Sequence, residues 1–212
     1  MKLLMHACCA PCSVYCIDKL REEKIEPTIY WYNPNIHLYD EYKSRRDCLI
    51  NYTDSINVKL IVNDEYGLDE FCKNVSNNIE NRCSSYCYPL RLRNTFEYAK
   101  KNGYDTVSTT LLYSIYQKHY FIKYYCEKLS KEYDIDFLYR DFRAGFWEGH
   151  EKAKELGLYM QKYCGCIFSQ EEAEVSKMYR KDLKKKGINP TDEESRKLIN
   201  QEKHFKEIKE II

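Results

Sequence analysis

The sequence has no long apolar run. Nothing in its 212 residues approaches the ~18 consecutive apolar residues that would suggest a membrane span. The opening stretch, MKLLMH, is too short and too soon polar for a secretory signal. The expectation is a cytoplasmic protein with no membrane partner. Net charge is also nearly absent, at +1, so bulk charge does not argue for nucleic-acid binding. The balance is uneven, though: from Ser176 onward 11 Lys/Arg face 7 Asp/Glu. No two of the five histidines stand at a ligand-like spacing. Residues 8–13, CCAPCS, contain no glycine, which excludes the glycine-rich phosphate loop that an ATP-dependent enzyme would need after its first strand. There is no internal repeat and no low-complexity segment.

Cysteine and tyrosine are abundant, with 11 and 21 copies. A chain of this length buries roughly 70% of its unfolded surface and needs no disulfides to hold its core. Thiols stay reduced in the cytoplasm, so eleven of them point to metal binding or redox chemistry. Tyrosine suits half-wet surfaces, where the ring packs and the hydroxyl stays solvated.

Apolar runs alternate with helical periodicity. Strands are expected at residues 2–7, 27–31, 58–62, 105–109 and 136–139. Helices are expected from Pro11 to about Lys24, at residues 39–52, 68–75 and 88–101, and from Gln117 to Tyr133. Val14, Ile17 and Leu20 form the stripe of the first helix. Ile122, Cys126, Leu129 and Tyr133 form that of the last. Strands alternating with helices imply an α/β fold with a parallel sheet flanked by helices. Ligands in such sheets bind at the carboxyl ends of the strands. After Asp141 the pattern is mainly helical, with a final helix opening at a capping box from Thr191. Lys184, Lys185 and Lys186 read as a solvated helix end. The division expected is a catalytic domain over residues 1–170 and a helical C-terminal extension over 171–212.

Three stretches carry the candidate chemistry. Cys8, Cys9 and Cys12 lie between a strand and a helix N-terminus, where unpaired amides favour thiolate over thiol. Cys83 and Cys87 directly precede a helix. Cys164 and Cys166 flank Gly165, whose freedom lets two sulfurs face one ion. Seven thiols exceed the four that one zinc ion or iron–sulfur cluster needs. They suggest a cluster plus a second metal, or a cluster plus redox thiols. Cys16, Cys48, Cys72 and Cys126 read as structural. His6 ends a strand beside the first group and is a candidate to support it. His37 and His119 are candidates for substrate contact, whereas His150 and His204 read as surface residues.

The ordered motifs carry a resemblance. They are Met5-His-Ala-Cys-Cys-Ala-Pro-Cys-Ser13, Asn33-Pro-Asn-Ile36 with Glu41, Tyr42 and Arg45, and Arg82-Cys83 with Cys87, Tyr88, Arg91 and Leu92. Ser108–Leu112 with Tyr116-Gln117-Lys118-His119, Asp141-Phe-Arg143, and Tyr163-Cys-Gly-Cys166 with Ser169 follow. Over residues 3–170 the chain resembles the QueH-type, cobalamin-independent epoxyqueuosine reductases. The resemblance implies a Rossmann-like sheet of the adenine-nucleotide-hydrolase kind. It also implies a 4Fe-4S cluster and a second, mononuclear metal, iron. The substrate it implies is tRNA bearing epoxyqueuosine at the wobble position, reduced to queuosine with electrons from a donor the sequence does not identify. On that footing Cys8, Cys9, Cys83 and Cys87 are expected to hold the cluster, and Cys12, Cys164 and Cys166 the second metal. Asp141 or Tyr163 would donate a proton. Arg91, His119, Arg143 and Lys162 would contact substrate, and Tyr116 or Trp147 would stack on a flipped base.

Two rivals use fewer of these residues. Cys9-Ala-Pro-Cys12 has the form of a thiol–disulfide oxidoreductase motif, which leaves Cys8 and both later pairs without a role. A zinc-stabilised RNA-binding module would need only four of the seven thiols.

Overall fold

The computed structural model describes residues 1–187. Five strands form one sheet: β1 (Leu3–His6), β2 (Thr28–Trp31), β3 (Leu60–Val62), β4 (Thr106–Thr109) and β5 (Asp136–Phe137). Every pairing is parallel and the order is β3-β2-β1-β4-β5. The central strands are buried along their length, which is why Leu3-Leu4-Met5 reads as an unbroken apolar run. The expected α/β architecture is therefore the observed one. Strand ends shift by one to two residues from the sequence-based bounds, as pairing rather than propensity decides where a strand stops.

Seven helices occur among the described residues: α1 (Ala10–Glu22), α2 (Tyr39–Ser55), α3 (Leu68–Val75), α4 (Tyr88–Lys101), α5 (His119–Tyr133), α6 (Phe146–Glu155) and α7 (Ile167–Lys185). In α1, Cys9 is the extended residue before the helix and Pro11 lies in the first turn, where its missing N–H costs nothing. Val14, Ile17 and Leu20 are fully buried, as are Ile122, Cys126 and Leu129 on α5. Helix α1 packs with α2 and α6, while α4 packs with α5 and against β1 and β4.

The strand order reverses direction beside β1. The chain runs from β1 outward through β2 and β3, then returns to add β4 and β5 on the other side. The carboxyl ends of β1 and β4 lie level, with His6 opposite Thr109. A crevice opens at such a reversal, because the loops after the two strands leave in opposite directions. Cys8 and Cys9 follow β1 into that crevice.

The chain divides into two compact units, Met1–Ile167 and a second beginning at Phe168. The described residues of the second form the rest of α7. Lys184 and Lys185 end that helix and are exposed. The helix expected from Thr191, and His204, lie outside the described residues.

Gly149 sets how closely α6 approaches α1. A Cβ at Gly149 would stand 2.6 Å from the Tyr113 hydroxyl and 2.8 Å from the Tyr15 Cβ. The Tyr113 hydroxyl donates to the Phe146 carbonyl at 2.7 Å and cannot simply swing away. In an exposed helix Gly→Ala stabilises by up to about 1 kcal/mol. Here Gly149→Ala is expected to destabilise by about 1–3 kcal/mol through overpacking. Urea unfolding measures the difference, and a stabilised variant would contradict the close packing.

Candidate metal centre

His6, the last residue of β1, is wholly buried. Its Nδ1 lies 3.1 Å from the Thr109 hydroxyl and its Nε2 lies 3.3 Å from the Tyr32 carbonyl. Burial, then the positive charge of Arg91, lowers its pKa to about 4, so it is neutral at physiological pH. The next turn is held from both neighbours of β1. Asn33 donates to the Ala7 carbonyl at 2.9 Å, and the Cys8 amide donates to the Thr110 hydroxyl at 3.4 Å.

That turn and the start of α1 bring Cys8, Cys9 and Cys12 together, with all three Sγ atoms within 4.8 Å of one another. Cys12 lies in the first turn of α1, and the extended Cys9 and the bend at Cys8 turn their sulfurs back over it. Cys8 Sγ and Cys9 Sγ are 3.8 Å apart. Two thiolates bound at about 2.3 Å to one tetrahedral ion also stand about 3.8 Å apart. Hydrogen bonds link the three thiols. Hydrogen bonds from Cys12 and then Cys9 push the Cys8 thiol well below its usual range. Burial pushes the Cys9 thiol up, and the bond to Cys8 does the same for Cys12.

Cys83 and Cys87 lie on a single π-helical turn before α4. Four residues apart, they point the same way and share a hydrogen bond. That bond from Cys87, helped by Arg82 and Arg91, lowers the Cys83 pKa to about 6, whereas Cys87 is raised. Cys166 is the next thiol close enough to act on Cys87, and Cys164 feels both Cys83 and Cys166.

The Cys164–Cys166 loop is tied to the residues after β2 by two buried side chains. The Arg45 guanidinium donates to the carbonyls of Tyr163 and Cys164, both at 2.9 Å, and pairs with Glu41. Gly165 passes Arg45 and Ile36 with φ +153°, where a Cβ would stand 3.2 Å from the Ile36 side chain. Its carbonyl accepts from the His37 amide at 2.8 Å. His37 Nδ1 accepts from the Ile167 amide, and its Nε2 lies 3.2 Å from the Pro34 carbonyl. His37 is thus a structural joint, and burial lowers its pKa to about 4.

The first and third cysteine stretches also meet nitrogen donors from elsewhere in the chain. Gln161 donates to Cys12 Sγ at 3.6 Å, Gln117 to Cys164 Sγ at 3.6 Å, and Arg82 to Cys166 Sγ at 3.4 Å. Tyr88 donates to Gln117 Oε1 at 2.6 Å and so fixes the amide. A cleft of about 340 Å³ opens on Cys8, Cys12 and Cys164. Tyr113, Tyr116, Phe146 and His150 form its aromatic wall, with Arg45, Thr110, Gln117, Gln161, Lys162 and Tyr163 around the rest.

The donor set fits a thiolate-bound metal. Gathered sulfurs, one acidified thiol in each of two groups, buried arginines and N–H donors on sulfur all favour the anionic form. Gln161 Oε1 is buried there without a partner among the described residues.

The remaining expected site residues lie elsewhere or serve otherwise. Arg91 is buried, donates to the Cys87 carbonyl at 2.9 Å and acts on Cys8 and Cys83, so it faces thiols and not solvent. Asp141 pairs with Arg143, which lowers its pKa to about 2; it is ionised at neutral pH and does not line the cleft. His119 is buried beside Tyr139, 3.1 Å from its hydroxyl. Tyr163 lines the cleft, but its hydroxyl donates to the His37 carbonyl. His150, read from the sequence as a surface residue, lines the cleft, stacked on Phe146. Nothing in its own neighbourhood of sequence signals that position, which depends on how α6 packs. Cys16 and Cys126 are core residues, Cys48 accepts from the Tyr159 amide, and Cys72 is exposed.

Fold and site together define an α/β protein with a cysteine group that could hold a metal at the reversal point of its sheet. The family described as Epoxyqueuosine reductase QueH matches residues 3–172. The epoxyqueuosine reductase QueH of Dehalococcoides mccartyi is 38% identical over 171 residues, covering 81% of this chain and 93% of that protein. The enzyme of the same name from Thermotoga maritima is 32% identical over 192 residues, covering 82% and 96%. The chain belongs to the QueH family.

The Cys83 thiol supplies a direct check on this electrostatic picture. A pKa of about 6 leaves it mainly thiolate at neutral pH in reduced, metal-free protein. Its alkylation by iodoacetamide, followed by mass spectrometry, is expected to be half-maximal near pH 6. Cys87→Ala removes the donor and should move the midpoint upward. A wild-type midpoint in the ordinary thiol range, about 8.5, would contradict the arrangement.

Proposed function

We propose that this chain reduces epoxyqueuosine to queuosine in tRNA, as a cytoplasmic iron–sulfur enzyme, and that residues 1–170 carry the activity. The observation that carries this reading is the meeting of Cys8 and Cys12 with Cys164 in one cleft, where Cys164 and Cys166 in turn lie close enough to act on Cys83 and Cys87, within a chain of the QueH family. A two-residue redox motif would not need Cys164 and Cys166 braced by Arg45 and Gln117.

The geometry favours a division of thiols different from the one expected on sequence. Cys8, Cys9 and Cys12 sit at single-ion spacing and would hold the mononuclear iron. Cys83, Cys87, Cys164 and Cys166 supply the four thiolates of a 4Fe-4S cluster. When bound, the centre supplies single electrons and a Lewis acid for the epoxide oxygen. The reaction breaks the two C–O bonds of the epoxide and forms a C=C bond. The oxygen leaves as water, and an external donor provides two electrons while two protons are taken up.

The chain's own residues provide the rest. The aromatic wall of Tyr113, Tyr116 and Phe146 takes a flat base by stacking and excludes water from it. Thr110, Gln117 and Gln161 place polar groups where the substrate hydroxyls can be oriented. Asp141 is ionised and Tyr163 is committed to a backbone carbonyl, so we assign proton delivery to His150.

Turnover of epoxyqueuosine-containing tRNA by anaerobically purified protein with a chemical reductant tests the reading. Cys164→Ala and Cys166→Ala are expected to abolish queuosine formation, and His150→Ala to slow it by at least about ten-fold with metal content retained. Cys12→Ala should lose iron while keeping acid-labile sulfide, and Cys87→Ala should lose sulfide. No product from the metal-replete wild type would remove the assignment. The opposite pattern of sulfide loss would reverse the division of thiols.

A further inference from the structure

Three tyrosines near the start of α5 are left uncovered. Tyr116, Tyr120 and Tyr124 are 77%, 80% and 64% exposed. Folding normally hides so much ring surface, and none of the three joins the apolar core. Tyr120 and Tyr124 are four residues apart on α5 and share one face. Cations are interleaved with the rings. Arg143, held by its pair with Asp141, lies 6.0 Å over the Tyr120 ring, and Lys123 lies 4.5 Å over Tyr139. From Tyr116 to Lys131 there are four lysines and one acidic residue, Glu127. Tyr116, three residues ahead of α5, lines the cleft and meets Phe146 edge-on at 5.7 Å, so the chain runs from the cleft directly into this face.

We propose that this face of α5 docks the single-stranded RNA that flanks the base held in the cleft. Tyr120 and Tyr124 stack on bases, and Lys123 and Arg143 meet phosphates. The proposal rests on the tRNA reading above and extends it to a surface outside the metal centre. Every base has a π-face, so exposed tyrosines grip unpaired nucleotides regardless of sequence. Alternation with cations matches a backbone that carries one charge per nucleotide. An apolar protein partner would fit the rings but would desolvate the lysines without compensation.

Binding of a fluorescein-labelled tRNA transcript, followed by anisotropy, tests this without any turnover. The double variant Tyr120→Ala/Tyr124→Ala is expected to raise Kd about ten-fold or more. Tyr120→Phe keeps the ring and should bind as wild type. Lys123→Gln should flatten the slope of log Kd against log salt by about one. Iron content and circular dichroism are expected to be unchanged in all three. If the wild type binds tRNA and the double variant binds equally well, the surface assignment fails while the reaction assignment stands. If the wild type does not bind tRNA, both fail. Unchanged RNA affinity with altered self-association in sedimentation would make the face a protein interface and overturn the proposal.

Discussion

Buried negative charge is the constraint on which the rest of this structure depends. A metal-binding cysteine must be a thiolate, and a thiolate taken out of water is costly unless positive charge or hydrogen-bond donors replace the lost solvation. The chain answers with three buried arginines. Arg45 reaches toward Cys9 and Cys8 from α2, Arg82 donates to Cys166, and Arg91 from α4 lies between the first and second cysteine stretches. Each arginine also binds backbone: Arg45 the carbonyls of Tyr163 and Cys164, Arg82 that of Ile79, Arg91 that of Cys87. The groups that balance charge therefore also fix the loops that carry the sulfurs.

This coupling explains why the site sits where it does. The reversal of strand order beside β1 leaves room for loops from β1, β2 and β4 to meet. Cys8 comes from the first, the residues that grip the Cys164–Cys166 loop from the second, and Thr110 from the third. The sheet itself contributes no reactive group. His6 and His37 are buried and neutral, and they act as joints between those loops and the strands beneath.

Much of this was legible in the sequence. Unbroken apolar runs such as Leu3-Leu4-Met5 gave the buried parallel strands, and the stripes on α1 and α5 gave their inner faces. The seven thiols could be singled out because their clustering is not how core cysteines are placed. Their grouping was not legible in the same way. Cys12 falls with Cys8 and Cys9 because they are close in sequence, but only the folded chain brings Cys166 toward Cys87 from a loop some eighty residues on. The setting of Arg91 was hidden for a related reason. A cation in a tRNA-modifying enzyme reads as a phosphate ligand, and burial beside thiols is a tertiary fact. His150 had no local signal at all, since its position depends on the close approach of α6 at Gly149.

The cleft joins two chemistries that pull in different directions. Its floor of cysteines needs a water-poor, charge-balanced setting, while Tyr116 at its aromatic rim, just ahead of α5, remains open to solvent. Mössbauer spectroscopy of protein grown on enriched iron and purified without oxygen probes the floor most directly. The account predicts two thiolate-bound iron environments, a cluster and a separate single iron, both lost in Arg91→Met. A wild-type protein holding only zinc or no metal, or an Arg91→Met variant with an unaltered spectrum, would contradict it.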